Sequence, residues 1–253
     1  ITGDSVPDVV CASSPDYTDG YIYVLDGSTG DTINEINSNS TAVFALCPIN
    51  DINNDGLMDY AYGDFNGAIK LVTSPADIFA SFSTQSGLIT HMESIVAYNQ
   101  KSYILSGTLN DYFPLINATD GSISWTATTN GNILDASSIE DLNGDLFFDV
   151  VIGTLNEELL ILSGLNGQEI YSRNMYHPID QTSSVEDLDN NGSQEILVGL
   201  RNGQLFCYSG GNDSSSVLEG DVNLDELVNI LDIILVVNII LELSPYTDLA
   251  DIN

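Results

Sequence analysis

A short motif, Gly-x-x-Asn followed by Gly, Asp or Glu, recurs about every 45 residues and constrains the fold more than any other feature of the chain. It stands at Gly63–Gly67, Gly107–Asp111, Gly153–Glu157 and Gly199–Gly203. A β-rich run precedes each copy (MDYAYG, KSYILSG, FDVVIG, QEILVG), and a second follows it (AIKLVT, YFPLINA, ELLILSG, QLFCYSG). Two β runs around a Gly/Asn turn make a hairpin. A third run follows a further turn, as in Gly121-SISWTA and Gly167-QEIYSR. A fourth (AVFALCP, NILDASSIE, TSSVED) leads into the next unit. Four short strands per repeat of this length is the arithmetic of a β-propeller blade. The chain therefore reads as all-β: a β-propeller of about 4.5 four-stranded blades. That is four whole units and the first hairpin of a fifth, expected to be a fragment of a larger propeller.

The composition changes abruptly after Tyr208. Propeller repeats span 1–208, a Gly/Ser-rich linker 209–218, and a separate module 219–253. Within the module, ELVNILDIILVVNIILEL predicts a helix whose apolar run is interrupted by Asp232, Asn238 and Glu242. It is too short to cross a bilayer, so no membrane insertion is expected. A helix apolar nearly all round needs partners on several sides.

Four Lys+Arg against 37 Asp+Glu give a formal charge of −33. That excludes a nucleic-acid binder that tracks phosphates with a basic face, and disfavours anionic lipid. A disordered acidic tail is excluded too, because 43% of residues are hydrophobic and the charge is spread along the chain. Asp outnumbers Glu and Asn is abundant, which places the charge in turns rather than in strands. Cys11, Cys47 and Cys207 fit no metal or redox spacing and sit in strand-like runs. They read as buried free thiols, with a Cys11–Cys207 pair left open.

The acidic residues fall into a repeated nine-residue loop between units: Asp51-INNDGLM-Asp59, Asp141-LNGDLFF-Asp149 and Asp187-LDNNGSQ-Glu195. Oxygen-bearing side chains recur at positions 1, 3, 5 and 9: Asp51, Asn53, Asp55 and Asp59; Asp141, Asn143, Asp145 and Asp149; Asp187, Asp189, Asn191 and Glu195. Alternate residues of a tight loop can converge on one centre, and hard oxygens without His or Cys select Ca²⁺ over zinc or copper. The plain alternative is a set of Asx-turns without metal. Gly56 and Gly192 supply the bend at position 6, where the second loop has Leu146. The third unit has Ser94-IVAYNQK-Ser102 at this place, without a carboxylate, so no ion is expected there. Aligning Asp8 with position 9 puts Asp4 at position 5 and position 1 just before Ile1. The chain is therefore expected to begin inside such a loop.

These D-x-(N/D)-x-(D/N)-G-x-x-(D/E) loops resemble the FG-GAP/VCBS-type repeats of calcium-binding extracellular propellers, including the integrin α-chain head. The segments VLDGSTGDTI and INATDGSISW are similar to blades of the pyrroloquinoline-quinone dehydrogenase type. Gly220-DVNLDELVNIL-Asp232 resembles a dockerin type I repeat, a calcium loop followed by one helix. The resemblance implies ligands at Asp221, Asn223, Asp225, Leu227 through its carbonyl, Asn229 and Asp232, with Glu226 in place of the usual Gly. Ala250-DI-Asn253 is similar to the start of a second such loop, so the dockerin-like module reads as truncated. By resemblance, the partner of such a module is a cohesin-type protein module, bound in a calcium-dependent way.

A catalytic reading finds little to work with. The histidines are His91 and His177, and the fixed cations are Lys70, Lys101, Arg173 and Arg201. No Ser/His/Asp or Cys/His arrangement is suggested, and Trp125 reads as packed between blades. The expectation is a secreted or cell-surface, non-catalytic, calcium-binding propeller. It would bind protein, polysaccharide or a cell-surface ligand and be joined to a docking module. The alternative is a fragment of a propeller enzyme of the rhamnogalacturonan-lyase or quinoprotein dehydrogenase type. A Lys or Arg beside a Tyr or His in a central groove would favour a lyase, and an acidic groove would favour binding.

Overall fold

The computed structural model describes residues 1–38, 41–73, 76–84, 87–97 and 101–210, together with Ile234 and Val237. The chain divides into two units, Ile1–Gly210 and Gly211–Asn253. In the second, the two described residues have helical backbone and are about half exposed. The dockerin-like ligands Asp221, Asn223, Asp225, Leu227, Asn229 and Asp232 lie outside the described residues.

The first unit is a series of five antiparallel sheets. The first holds β1 (Val9–Ser13), β2 (Tyr21–Leu25) and β3 (Thr32–Asn37). The second holds β4 (Val43–Ile49), β5 (Asp59–Asp64), β6 (Ala68–Thr73) and β7 (Asp77–Ser83). The third holds β8 (Ile89–Val96), β9 (Ser102–Thr108), β10 (Tyr112–Asn117) and β11 (Ile123–Thr128). The fourth holds β12 (Ile133–Ile139), β13 (Asp149–Thr154), β14 (Glu158–Ser163) and β15 (Glu169–Asn174). The fifth holds β16 (Ile179–Val185), β17 (Glu195–Leu200) and β18 (Leu205–Ser209). Each sheet is a meander, the blade of a β-propeller.

The strands are those expected, but their phase differs by one. The fourth run of each unit does not complete the preceding hairpin. It opens the next sheet, pairing across the acidic loop: Ile49 opposite Asp59, Ile139 opposite Asp149, Val185 opposite Glu195. The 4.5 units of the sequence are therefore three four-stranded sheets flanked by two three-stranded ones. Period alone cannot choose between the two groupings, because each contains the same strands in the same order.

Burial grades across each blade. The second strand is covered on both faces, so β5, β9 and β13 are buried throughout, whereas the outer strands β7, β11 and β15 are largely exposed. One apolar cluster fills each junction between neighbouring sheets. Stability is thus built from nearest-neighbour contacts, as in other repeat folds. Trp125 packs between blades as expected, its Nε1 donating to the Gly164 carbonyl at 2.6 Å.

The repeated motif has a packing explanation. In two copies, its first glycine lies against the start of the next blade's inner strand. A Cβ on Gly63 would come within 2.5 Å of Ile89, and one on Gly153 within 2.4 Å of Ile179. The inner strands carry a register shift at one equivalent place, between Val43/Ala45, Ile89/His91, Ile133/Asp135 and Ile179/Gln181. A bulge at one position per blade re-aims the following side chain.

All three cysteines are free. Cys47 is buried, and burial pushes its thiol up to about 12. Cys11 is half-buried. Cys207 is exposed, against expectation, because β18 is the last strand of its sheet and nothing described covers its outer face.

Candidate metal centres

The nine-residue loops connect the first two strands of their blades, and position 9 is the first residue of β5, β13 or β17. The three loops share one hydrogen-bond scheme. The position 1 carboxylate accepts the N–H of position 6: Gly56 to Asp51 at 2.7 Å, Leu146 to Asp141 at 2.7 Å and Gly192 to Asp187 at 2.9 Å. It also accepts the N–H of position 5. The oxygen at position 5 accepts the N–H of position 7, from Leu57, Phe147 and Ser193. Finally, the position 9 carboxylate accepts the N–H of position 2, from Ile52 at 2.8 Å, Leu142 at 2.7 Å and Leu188 at 2.8 Å. Positions 4 and 6 are left-handed throughout: Asn54 and Gly56, Gly144 and Leu146, Asn190 and Gly192. Leu146 makes the bend with its side chain attached and 77% exposed.

Asp4 and Asp8 follow the same scheme. The Val6 N–H donates to Asp4, the Ile1 amino group lies 3.0 Å from Asp8, and Gly3 and Ser5 have positive φ. These residues take positions 5 and 9, as aligned. Gly27 N–H holds the Asp8 carboxyl well below its usual range, with Thr2 N–H adding to the effect. In the stretch from Ser94 to Ser102, β8 continues to Val96 and Ala97 N–H donates to the Lys101 carbonyl.

The loops differ in how closely their carboxylates converge. Among the described residues, the oxygens of Asp187, Asp189 and Glu195 lie within 4.8 Å of one another. In the loop containing Asp141, Asn143, Asp145 and Asp149, one Asp145 oxygen instead accepts from Ser163 Oγ at 2.7 Å. In the first loop, Asp55 accepts from Asn53 Nδ2 at 2.9 Å. Position 9 is buried in each: Asp59, Asp149 and Glu195 are at most 3% exposed. Burial pushes the Asp149 carboxyl up to about 6 against the pull of Leu142 and Gly164 N–H, and the charges of Asp145 and Asp141 add to the rise.

This donor set fits a hard divalent cation. Each site offers carboxylate and amide oxygens only, and each carboxylate has about four lone-pair sites, so those holding backbone N–H groups keep capacity. The hydroxyls of Ser163 and Ser209 were not singled out from sequence. Ser209 Oγ accepts from Asn191 at 2.5 Å, and both serines lie 18 residues beyond position 5 of their loop. That constant spacing was the available signal.

A second polar site lies on the inner strands. A cavity of about 490 Å³ is bordered by His91 and Glu93 of β8, Asp135 of β12, and Gln181 and Ser183 of β16. Its charged lining is His91, Glu93 and Asp135, without Lys or Arg. The cations sit elsewhere. Lys70 donates to the Ser38 carbonyl and lies over Tyr62, Arg173 lies over Tyr208, and Arg201 pairs with Asp180 at 2.7 Å.

No protein-family model and no curated protein matches the sequence. Solved structures do match the fold. Sqt1 of Saccharomyces cerevisiae aligns with a TM-score of 0.67 at 13% identity, covering 82% of this chain and 57% of that one. BBS1N, crystallised in complex with ARL6DN, gives 0.59 at 11% identity over 79% of this chain and 66% of that one. The computationally designed protein Ika8 gives 0.56 at 14% identity, over 79% and 58% respectively. The chain thus spans less than two thirds of these relatives' own lengths. At such identities the likeness establishes the β-propeller fold alone.

Proposed function

We propose that this chain is a non-catalytic, calcium-stabilised β-propeller that binds other macromolecules outside the cell and is tethered through a dockerin-like segment. The observation that carries this reading is the common geometry of the acidic loops. One hydrogen-bond scheme, one pair of left-handed positions and one buried carboxylate recur in the second, fourth and fifth blades. Asx-turns alone would account for the turns. They do not call for a buried acid at position 9 beside two or three further oxygens.

A cation would offset the mutual repulsion of these carboxylates, and with it the cost of burying Asp59, Asp149 and Glu195. Millimolar calcium is an extracellular condition, which fits weak, loop-built sites. The acidic wall at His91, Glu93 and Asp135 supports binding over lyase chemistry, which asks for a cation beside a base. BBS1N forms a complex with ARL6DN, and by likeness of fold a protein partner suits this chain as well. The segment 219–253 adds docking to a cohesin-type module, a reading that rests on its sequence.

The test is thermal unfolding in calcium and in excess EDTA. A ligand bound only to the folded state stabilises by about 2.7 kcal/mol at a hundredfold excess over Kd. At about 2–4 °C per kcal/mol for a domain of this size, chelation lowers the melting temperature by several degrees. Coincident curves would refute the calcium reading.

A further inference from the structure

The loops with all four oxygen positions lie in the second, fourth and fifth blades, so two of them belong to neighbouring blades. Those two are joined. Glu140, the residue before Asp141, and Gln194, the residue before Glu195, exchange hydrogen bonds. The Gln194 N–H donates to Glu140 Oε1, and the Glu140 N–H donates to Gln194 Oε1 at 3.2 Å. Both residues are half-buried. The clamp thus ties position 1 of the fourth-blade loop to position 9 of the fifth-blade loop. A second contact runs beside it. Leu142, at position 2 of the fourth-blade loop, donates its N–H to Asp149 and packs its side chain against the apolar cluster that contains Ile139 and Ile196. Ile196 directly follows Glu195. Position 8 decides where such a clamp can form: it is Met58 in the second blade, Phe148 in the fourth and Gln194 in the fifth, and only the glutamine side chain carries an amide oxygen.

We propose that Glu140 and Gln194 are positioning residues that couple the candidate cation sites of the fourth and fifth blades, so that an ion in one raises the affinity of the other, while the second blade's site fills independently of them. This inference rests on the calcium reading above and adds to it how the sites fill. An ion draws together the carboxylates of its loop and fixes the backbone between positions 1 and 9. Fixing Asp141 holds Glu140, and the two hydrogen bonds then hold Gln194 and with it Glu195. The fifth-blade loop therefore loses less conformational freedom when it takes its own ion, which is positive coupling. By linkage the effect is reciprocal. The charge of the ions acts the other way, because a filled fourth-blade loop is less negative than an emptied one and attracts a second cation less. The sign of the coupling thus tells the clamp from the field.

The test is a calcium titration of the full chain, followed by NMR at the amides that donate to the position 1 carboxylates: Leu146 in the fourth blade, Gly192 in the fifth and Gly56 in the second. Asp145→Ala empties the fourth-blade site. It should raise the midpoint at Gly192 about fivefold, the low end of ordinary coupling between sites, and leave that at Gly56 unchanged. Glu140→Ala takes the acceptor from the Gln194 N–H. In that background Asp145→Ala should move the Gly192 midpoint by less than about twofold. Glu140→Gln keeps an oxygen there and should keep the full shift, which separates the hydrogen bond from the charge. The Gly56 midpoint reports that each variant is folded. An unchanged or lowered Gly192 midpoint in Asp145→Ala overturns the coupling and leaves the calcium reading standing. So does a shift that survives Glu140→Ala, or one that Glu140→Gln abolishes. Amides of all three loops that ignore millimolar calcium overturn both.

Discussion

His91 Nδ1 donates to Asp135 Oδ1 across 2.8 Å, tying the inner strand of the third blade to that of the fourth. The other Asp135 oxygen accepts the Thr182 N–H at 2.8 Å, so one carboxylate joins three successive inner strands. Asp135 is 8% exposed, and removing it leaves a partly buried imidazole and a buried N–H without their acceptor. Hydrogen bonds to charged groups are worth about 1.5–3 kcal/mol. Asp135→Ala is expected to cost that much or slightly more, read from urea unfolding. A loss below about 0.5 kcal/mol, the range of ordinary surface substitutions, would remove Asp135 from the blade junction.

The same pair predicts a pH dependence. Burial pushes the His91 pKa down, but its bond to Asp135 and the charges of Asp135 and Glu93 outweigh it, and the net shift is upward from 6.5. A group whose folded pKa is raised contributes stability that is fully present below the unfolded value and fades as pH rises through the folded one. The melting temperature of the parent should therefore exceed that of His91→Gln most at about pH 6 and below, with the gap closing towards pH 8. Glu93, raised chiefly by burial, titrates with the same sign from 4.5 upward. The difference between the two proteins isolates the imidazole. A gap that widens with pH would reverse the assignment.

Ion stoichiometry distinguishes the loops. Asp55→Ala should remove one bound calcium, measured by equilibrium dialysis, whereas Ser94→Ala should leave the count unchanged. Asp189→Ala should also remove one, and it breaks the trio of Asp187, Asp189 and Glu195. Equal losses from Asp55→Ala and Ser94→Ala would mean that the loop alignment is wrong.

Gly164 offers a packing test. A Cβ there would lie 1.9 Å from the Phe148 carbonyl oxygen, and backbone cannot yield as a side chain can. Gly144→Ala meets nothing within 4 Å and bears only the cost of its positive φ, about 1–2 kcal/mol. Gly164→Ala is expected to be the more damaging of the two, by chemical denaturation. The reverse order would contradict the close approach of the turn to position 8 of the loop.

Trp125 is the single tryptophan, so its fluorescence reports on the junction of the third and fourth blades. Trp125→Phe removes the bond to the Gly164 carbonyl and should cost about 1 kcal/mol or more. An emission maximum at the fully solvated value in the folded protein would be incompatible with that packed position.

Much of this protein could be read from its residues. The period of Gly63, Gly107, Gly153 and Gly199 identified the strands and the propeller. The spacing of Asp51, Asn53, Asp55 and Asp59 located the loops, and the same spacing extended to Asp4 and Asp8. Such features are local: a turn needs its glycine and a loop its oxygens within a few residues, whatever the rest of the chain does. Which strands share a sheet depended on partners far apart in sequence. Grouping the fourth run with its own hairpin or with the next gives the same order along the chain, and only antiparallel pairing across the acidic loop separates them. The link between His91, Asp135 and Thr182 was likewise invisible, since those residues are about 45 apart and meet only when blades stack. The exposure of Cys207 had the same origin, because an apolar strand is buried only where a neighbouring sheet covers it. Sequence determined the elements and their chemistry; tertiary packing decided which of them touch, because burial and hydrogen-bond partners belong to pairs of blades rather than to any one segment.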